Sequence, residues 1–217
     1  MKALKIDRPS SQARPPQRLG VLLSGRGSNF LAIAEAIRAG RLHGVEIAIV
    51  ISNIADAPGL AKARELGLPT ALFISKGRKR ADHDADLIAC LAAHRVDLVC
   101  LAGYMRLLSA EFVAAFPNRI LNIHPSLLPA FPGLEAQRQA FDYGVQLAGC
   151  TVHFVDEHLD HGVIVLQRAI PVSPDDDAHS LARRILAEEH LAYPEAIARV
   201  ASGNYEIHAC RFVPKLQ

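Results

Sequence analysis

The sequence lacks the features of a nucleic-acid-binding, membrane or secreted protein. Its 24 basic and 22 acidic residues nearly balance, so it has no basic excess that would bind nucleic acid or an anionic membrane surface. No apolar run approaches the ~20 residues that a transmembrane helix requires. The first residues, MKALKIDRPSSQARPPQ, hold no hydrophobic stretch behind their charges, which argues against a secretory signal. We therefore expect neither a nucleic-acid nor a membrane partner.

Signatures of disulfide, zinc and serine-hydrolase chemistry are also missing. None of the four scattered cysteines lies in a C-x-x-C pair, and the sequence contains no G-x-S-x-G elbow. Scattered cysteines in a chain of this length favour a reducing compartment, so we expect a cytoplasmic protein. Three histidines have spacings that fit neither a helical H-x-x-x-H pair nor a Cys/His site, and we expect no metal at His153, His158 or His161.

The first residues differ in composition from the rest of the chain. Residues 1–17 are rich in Pro, Ser and Arg and are predicted to form a flexible extension. An organellar transit peptide is the less favoured alternative, because Asp7 interrupts the basic stretch. Half of all residues are hydrophobic, which is enough for a substantial core, and residues 18–217 are expected to form a single domain.

Apolar runs alternate with amphipathic segments through residue 123. The runs are continuously apolar, as expected for strands that helices cover on both faces. The predicted strands are Leu19–Leu23, Val45–Ile51, Thr70–Ile74, Val96–Leu101 and Ile120–Ile123. The predicted helices span about 28–40, 57–66 with Asp56 as its cap, 80–93 and 109–116. This alternation predicts an α/β fold with an open, mainly parallel sheet, helices on both faces, and ligands outside the carboxyl ends of the strands.

The pattern changes in the second half of the chain. Two apolar runs, Gly149–Val155 and Val163–Pro171, are joined by a short polar connection and predict a hairpin. This hairpin would give the sheet an antiparallel C-terminal edge. A helix is expected from about 177 to 200, with Asp177 as a candidate cap and Pro194 as a break or kink.

The segment SGRGSN joins the first predicted strand to the first helix. Its two glycines allow a tight turn, and the N–H groups of Ser28 and Asn29 lie at the positive end of a helix dipole, which suits a phosphate. Phe30 stands where a dinucleotide fingerprint has its third glycine, so a nicotinamide cofactor is disfavoured. A glycine turn with a Ser/Asn cap and no ligand remains an alternative.

The segment ILNIHPSLLPAFPG carries a polar pair at the end of a buried strand. Alternation along the strand places Asn122 and His124 on one side and Ile123 on the other. An amide and a protonated imidazole can donate hydrogen bonds to an oxygen that becomes negative in a tetrahedral intermediate. The pair therefore predicts acyl transfer, and the alternative is a polar pair satisfied by local backbone.

The connection between the hairpin strands carries three carboxylates, Asp156, Glu157 and Asp160. A carboxylate brought near His124 would orient its ring and favour the imidazolium form. For Asp156 and Glu157, a solvated acidic turn is the alternative interpretation.

Four of these segments resemble one family. SGRGSN, LAGYMRLLS, NIHPSLLPAFPG and VHFVDEHLDHG look like the corresponding motifs of the folate-dependent phosphoribosylglycinamide formyltransferases of purine synthesis. The resemblance runs in order from about residue 18 to residue 208. It implies a Rossmann-like formyltransferase fold, 10-formyltetrahydrofolate as the formyl donor, and a phosphorylated ribotide amine as the acceptor. It implies no metal, and a monomer or a homodimer.

The resemblance also implies roles for individual residues. The catalytic set falls on Asn122, His124 and Asp160. The ribotide-binding set falls on Gly27, Ser28, Asn29 and Glu189. The formyl-folate set is the largest and falls on Arg80, Met105, Arg106, Leu107, Leu108, Asn122, Asp156, Glu157, His158, Leu159 and Asp160.

Three positions depart from the family pattern. Relatives often have Asp-Gly-Gly in the turn where this chain has Asp160, His161 and Gly162. Relatives also often carry histidines where this chain has Glu135 and Gln137. These departures concern the details of substrate contact, and the expected reaction class is unchanged.

Two other functions remain open at this stage. Hydrolysis of formyl-folate by water is the first. Relatives with that activity carry an extra N-terminal regulatory domain. They also usually have a different residue after the N-I-H motif, where this chain has Pro125. Relatives that formylate initiator tRNA carry an additional C-terminal domain that we do not expect here. A non-catalytic phosphate- or nucleotide-binding module is the second alternative, and it would leave Asn122, His124 and Asp160 without a role.

Overall fold

Strands and helices alternate along the chain in the computed structural model, which describes residues 15–215. Within that range the strands are β1 (Gln17–Leu23), β2 (Val45–Ser52), β3 (Thr70–Leu72), β4 (Leu98–Leu101), β5 (Ile120–His124), β6 (Leu147–Phe154), β7 (Ile164–Pro171), β8 (Tyr205–His208) and β9 (Arg211–Pro214). The helices are α1 (Ser28–Arg38), α2 (Pro58–Glu65), α3 (Arg80–Ala93), α4 (Ala110–Ala115), α5 (Ala136–Tyr143) and α6 (Ala178–Ala201).

All of these strands belong to one sheet, in the order β3-β2-β1-β4-β5-β6-β7-β9-β8. The pairs from β3 to β5 are parallel, whereas β6 is antiparallel to both β5 and β7. The predicted α/β fold with a mainly parallel sheet and an antiparallel C-terminal edge is therefore confirmed. Because β1, β2, β4 and β5 run in the same direction, the loops that follow them meet at one edge of the sheet.

Each face of the sheet packs against its own hydrophobic core. One core includes side chains of α1, α2 and α6, and the other includes side chains of α3 and α4. In β1, Leu23 faces the first core and Leu22 faces the second, and both are fully buried. Burial on both faces explains why this strand is apolar at successive positions.

Two helix details differ from the predictions. The predicted cap at Asp56 is wrong, because Ala57 is the N-cap residue of α2 and makes no side-chain cap. Pro58 begins that helix. Proline has no backbone N–H group, and at the first helical position that group would have no partner within the helix anyway. Of the break or kink predicted at Pro194, the break is wrong, because helix α6 continues to Ala201. Ala192, Tyr193, Ala196 and Ile197 around the proline are fully buried, and the Tyr193 hydroxyl shares its proton between two strand carbonyls.

The cap predicted for the last helix is present. The Asp177 carboxylate accepts the Ser180 N–H at 2.6 Å, and the Ser180 hydroxyl accepts the Asp177 N–H at 2.9 Å. This reciprocal capping box satisfies two N–H groups that the helix itself leaves free.

The sequence patterns did not predict helix α5 or the β8–β9 hairpin. Two alanines are the buried residues of α5, and alanines give little apolar periodicity. Strands β8 and β9 are four residues each and half exposed, at the outer edge of the sheet.

The predicted extension falls mostly outside the described residues. Residues 1–14 are not described, and β1 already begins at Gln17, so the boundary drawn at residue 17 overlaps the first strand by one residue. Among residues 15–215, no helix combines the length and the apolar character needed to cross a membrane.

Candidate active site

The turn from Ser24 to Asn29 leads from β1 directly into α1. Gly27 is the N-cap residue of α1 and has a positive φ of 71°, and a Cβ atom there would lie 2.8 Å from the Gly59 backbone of α2. Both the backbone angle and the close approach of α2 therefore require glycine. The turn leaves the N-terminus of α1 as a position where backbone N–H groups can bind an anion.

Asn29 faces inward from the first turn of α1 and meets Glu189 of α6. Its Nδ2 donates a 2.7 Å hydrogen bond to Glu189 Oε2, and both residues are buried. Burial raises the pKa of Glu189, although the hydrogen bond from Asn29 partly opposes that rise. The Asn29 Oδ1 atom is buried without a hydrogen-bond partner among the described residues. The structure therefore brings together two predicted ribotide-binding residues that are 160 positions apart in sequence.

Ser24 connects the phosphate-loop candidate to the segment that follows β4. Its hydroxyl donates to Asn53 Oδ1 at 2.6 Å and accepts the Met105 N–H at 2.8 Å. Asn53 in turn donates from Nδ2 to Ser75 Oγ at 3.0 Å. Neither Asn53 nor Ser75 was among the predicted site residues. The available signal was that polar residues follow the apolar run of β2, in the sequence ISN.

The predicted folate-contacting segment, residues 105–108, presents both apolar and basic groups. Met105 and Leu107 expose 66% and 52% of their surface and lie two positions apart on this segment. The Arg106 guanidinium donates to the carbonyls of Ser75 and Arg78 at 3.3 and 3.2 Å, and Leu108 packs against the second core. The exposed pair therefore offers an apolar surface held on an anchored loop.

Arg80 occupies the first position of α3 and is exposed. Among the described residues, no hydrogen bond or ion pair connects its side chain to this loop or to the site. The structure thus does not join this predicted folate contact to the others.

His124 and Asp160 meet at the end of β5. The Nδ1 atom of His124 lies 3.4 Å from Asp160 Oδ2, and both side chains are more than nine-tenths buried. His124 Nε2–H donates to the Phe131 carbonyl at 2.9 Å, so Nδ1 is the nitrogen that faces Asp160. The Gly133 N–H donates to Asp160 Oδ2 at 2.8 Å and holds the carboxylate in place. Of the three candidate carboxylates in this loop, Asp160 is the one that reaches His124.

Asn122 lies on the same strand as His124 and contacts His153 of β6. Asn122 and His153 are directly opposite in the antiparallel β5–β6 pair, with Asn122 Nδ2 3.2 Å from His153 Nε2. His153 Nδ1 donates to the Phe154 carbonyl at 2.8 Å, and burial lowers the pKa of His153. A neutral ring with its proton on Nδ1 leaves Nε2 as an acceptor, which fixes the orientation of the Asn122 amide.

His153 also lies 3.8 Å from Asp160 Oδ1 through its Nε2 atom. The sequence analysis considered this histidine only as a metal ligand and missed its position between Asn122 and Asp160. The predicted hairpin was the available signal for His153. A hairpin strand that pairs with the strand of Asn122 places one of its own residues opposite that amide.

The loop that carries Asp160 lies against β6. A Cβ atom at Gly162 would come within 1.9 Å of the Phe154 carbonyl oxygen, so only glycine fits there. At the other end of the loop, Asp156 accepts the His158 N–H and pairs with His161 Nδ1, both at 2.8 Å. Burial tends to raise the pKa of Asp156, but these two hydrogen bonds outweigh burial and lower it. Glu157, His158 and Leu159 are exposed.

The fold and this cluster together define a class of protein. An open α/β sheet carries an amide, an imidazole and a carboxylate at one edge, beside a helix N-terminus suited to phosphate. In such an arrangement the amide and the imidazole can donate hydrogen bonds to a developing oxyanion, as the chemistry of a group-transfer enzyme requires.

Comparison with known proteins gives the family. The family model described as formyl transferase matches residues 17–197. The chain therefore belongs to the formyl transferase family, and the expectation of a formyltransferase is confirmed.

The relatives and solved structures agree with this assignment. The chain is 42% identical to the phosphoribosylglycinamide formyltransferase of Escherichia coli K12, over 87% of this chain and 89% of that protein. It is similar to the crystal structure of glycinamide ribonucleotide transformylase 1 from Symbiobacterium toebii, at 52% identity and a TM-score of 0.89, covering 93% of this chain and 95% of that one. It is also 47% identical to the trifunctional purine biosynthetic protein adenosine-3 of Drosophila melanogaster, over 87% of this chain. This chain spans 14% of that longer relative.

Proposed function

We propose that this protein transfers the formyl group of 10-formyltetrahydrofolate to the amine of N1-(5-phosphoribosyl)glycinamide, in de novo purine synthesis. The observation that carries the proposal is the buried contact between His124 Nδ1 and Asp160 Oδ2, with the Asn122 amide on the same strand. The relatives named phosphoribosylglycinamide formyltransferase support this choice of substrates.

The ribotide binds through its phosphate at the N-terminus of α1. The N–H groups of Gly27, Ser28 and Asn29 face the anion, which the helix dipole also attracts. The buried pair of Asn29 and Glu189 contacts the sugar, because ribose hydroxyl groups can donate to the Glu189 carboxylate and to the unpartnered Asn29 Oδ1. Fixing the ribotide at both ends positions its amine for attack, a contribution that can reach ~7–11 kcal/mol.

Formyl-folate binds on the opposite side of the cluster. The exposed Met105 and Leu107 supply apolar contact, Arg106 and Leu108 anchor that segment, and Arg80 supplies a positive charge for the folate carboxylates. The loop of residues 156–160 borders the folate ring. The formyl group on folate N10 then lies next to Asn122.

The reaction proceeds by attack of the ribotide amine on the formyl carbon. The new C–N bond forms as the formyl oxygen takes on negative charge, and Asn122 Nδ2–H and protonated His124 Nδ1–H donate to that oxygen. Asp160 stabilises the positive imidazole ring by Coulomb attraction. Collapse of the intermediate breaks the bond to folate N10, and a water held by Asp160 passes the proton from the amine to that nitrogen.

Hydrogen bonds meet the charge that develops in this mechanism, so the transfer step uses no metal. We also propose that the protein acts in the cytoplasm, as a monomer or a homodimer. Its scattered thiols suit that compartment, since all four cysteines are free in the structure.

Incubation of the purified protein with 10-formyltetrahydrofolate, with and without the ribotide, tests the proposal. Release of tetrahydrofolate only in the presence of the ribotide, with formylation of its amine, is the expected result. Release at the same rate without the ribotide would identify a hydrolase instead. If neither condition released folate, the chain would be a phosphate- or nucleotide-binding module.

A further inference from the structure

Three side chains of the β6–β7 loop converge on the surface of the molecule. Asp156, His158 and His161 each offer one potential ligand atom, and these atoms all lie within 4.8 Å of one another. His161 Nδ1 is 2.8 Å from Asp156 Oδ2, and His158 Nδ1 is 3.9 Å from Asp156 Oδ1. The two imidazole rings lie 5.2 Å apart, centroid to centroid. This His–His–Asp cluster is separate from the buried His124–Asp160 pair.

The cluster has the dimensions that a small metal ion requires. Bonds of about 2.0–2.2 Å to nitrogen and oxygen place neighbouring ligands roughly 3.3 Å apart in a tetrahedral site. The separations of 2.8 and 3.9 Å lie on either side of that value. Both imidazoles are more than two-thirds exposed and can rotate to adjust. The turn itself is formed in advance, because Asp156 Oδ1 accepts the His158 N–H.

The chemistry of the ligands selects the type of metal. Two imidazoles and one carboxylate suit Zn²⁺ and neighbouring transition metals, whereas Mg²⁺ and Ca²⁺ prefer sites made of oxygen.

We propose that Asp156, His158 and His161 form a surface site for a divalent transition-metal ion of the Zn²⁺ class. The three side chains coordinate the ion, and its remaining positions are open to water. The transfer reaction does not use this ion, so the site is an addition to the catalytic cluster. The proposal differs from the expectation drawn from histidine spacing alone, because the folded loop brings Asp156 between His158 and His161.

Occupancy of the site would affect the loop that carries Asp160. A metal bound by Asp156 and His161 joins the two ends of the turn that contains Asp160 and holds it in one conformation. Asp156 and His158 are also proposed folate contacts, so the ion competes with formyl-folate for them. This consequence rests on the proposed function: we expect micromolar Zn²⁺ to raise the KM for formyl-folate, and a chelator to reverse the effect.

Calorimetric titration of the metal-free, untagged full chain with ZnCl₂ tests the site without any substrate. We expect one equivalent of tight binding in the wild type and at least a tenfold weaker affinity in His161→Ala. His208→Ala is the matched control, because His208 also forms an exposed pair with a carboxylate, Glu206, at 2.9 Å. Its affinity for Zn²⁺ is expected to equal that of the wild type.

Cobalt provides a second readout at the same position. Co²⁺ bound to the wild type and to His208→Ala should give visible absorption bands that His161→Ala lacks, and circular dichroism checks that each variant is folded. The site is disproved if the wild type binds no Zn²⁺ when the metal is in excess over the protein. Equal affinity in His161→Ala would also disprove it. A protein that binds zinc but releases no folate would leave this site standing and overturn the proposed function alone.

Discussion

His124 and His153 each commit one ring nitrogen to a backbone carbonyl, and this decides which nitrogen faces the site. His124 donates from Nε2 to Phe131, so Nδ1 faces Asp160, whereas His153 donates from Nδ1 to Phe154 and presents Nε2 to Asn122. The remaining nitrogen of a neutral ring is an acceptor, as His153 Nε2 is toward the Asn122 amide. The Nδ1 atom of His124 is a donor only in the protonated ring, whose positive charge the facing Asp160 carboxylate stabilises.

Replacement of Asp160 by asparagine tests the role of the carboxylate at the scale of one residue. Asp160 has a positive φ of 49°, which asparagine tolerates well, so Asp160→Asn should keep the fold. The variant loses the charge beside His124, and we expect turnover to fall by about 10²–10³ while ribotide affinity stays within threefold. Steady-state kinetics and ribotide calorimetry measure these two effects.

The exposed Asp175→Asn substitution is the matched control and should leave turnover unchanged. His124→Ala should lose at least as much turnover as Asp160→Asn, because it removes the donor itself. Turnover of Asp160→Asn within tenfold of the wild type would contradict the assigned role.

At the scale of the secondary-structure elements, one side chain joins the loops that follow three different strands. The Ser24 hydroxyl, after β1, donates to Asn53 after β2 and accepts from Met105 after β4. The proposed ribotide side and the proposed folate side of the site thus share one hydroxyl group, which links the two loops directly.

The Ser24→Ala substitution should loosen residues 105–108, the proposed folate-contacting segment. It leaves the Met105 N–H and Asn53 Oδ1 without this partner, which should lower the free energy of unfolding by about 1 kcal/mol. We expect the KM for formyl-folate to rise several-fold with a smaller change in kcat, because Ser24 positions the segment and does not touch the reacting atoms. Urea unfolding and initial rates measure both quantities.

Ser202→Ala serves as the comparison, since its hydroxyl donates to the Arg199 carbonyl and accepts the Asn204 N–H, both at the end of α6. It should change neither KM nor kcat. An unaltered KM for formyl-folate in Ser24→Ala would show that residues 105–108 keep their position without the hydroxyl group.

At the scale of the whole molecule, the buried carboxyl group of Glu189 makes the free energy of unfolding depend on pH. Because its pKa is raised from the ordinary 4.5, the folded protein retains this proton over a pH range where the unfolded chain has lost it. Stability therefore falls as the pH rises through that range. We expect Glu189→Gln to be more stable than the wild type at pH 7, with the advantage shrinking toward pH 4, and to bind the ribotide less tightly.

Thermal unfolding between pH 4 and pH 8 measures this difference. The exposed Glu65→Gln substitution is the control and should show no pH-dependent advantage. If Glu189→Gln were less stable than the wild type at pH 7, the hydrogen bond from Asn29 would outweigh the cost of burying the charge.

Much of the fold and part of the site could be predicted because their signals are local. The apolar runs of β1, β2 and β5 marked the parallel sheet, and the turn glycine and the Asn122–His124 pair lay where those strands end. The short helix α5 and the β8–β9 edge escaped prediction because few of their side chains are buried. Pro194 does not break α6, because packing around the helix overrides the local preference of proline.

By itself, the sequence determined the alternation of strands and helices, and hence the edge of the sheet where polar groups collect. Hydrophobic periodicity and turn residues act over a few positions, so they can be read along the chain. Only the tertiary structure decided that Asp160 contacts His124, that His153 orients Asn122, and that Asn29 meets Glu189. These contacts join residues from 31 to 160 positions apart, and they depend on how strands pair and how a loop folds back against its strand.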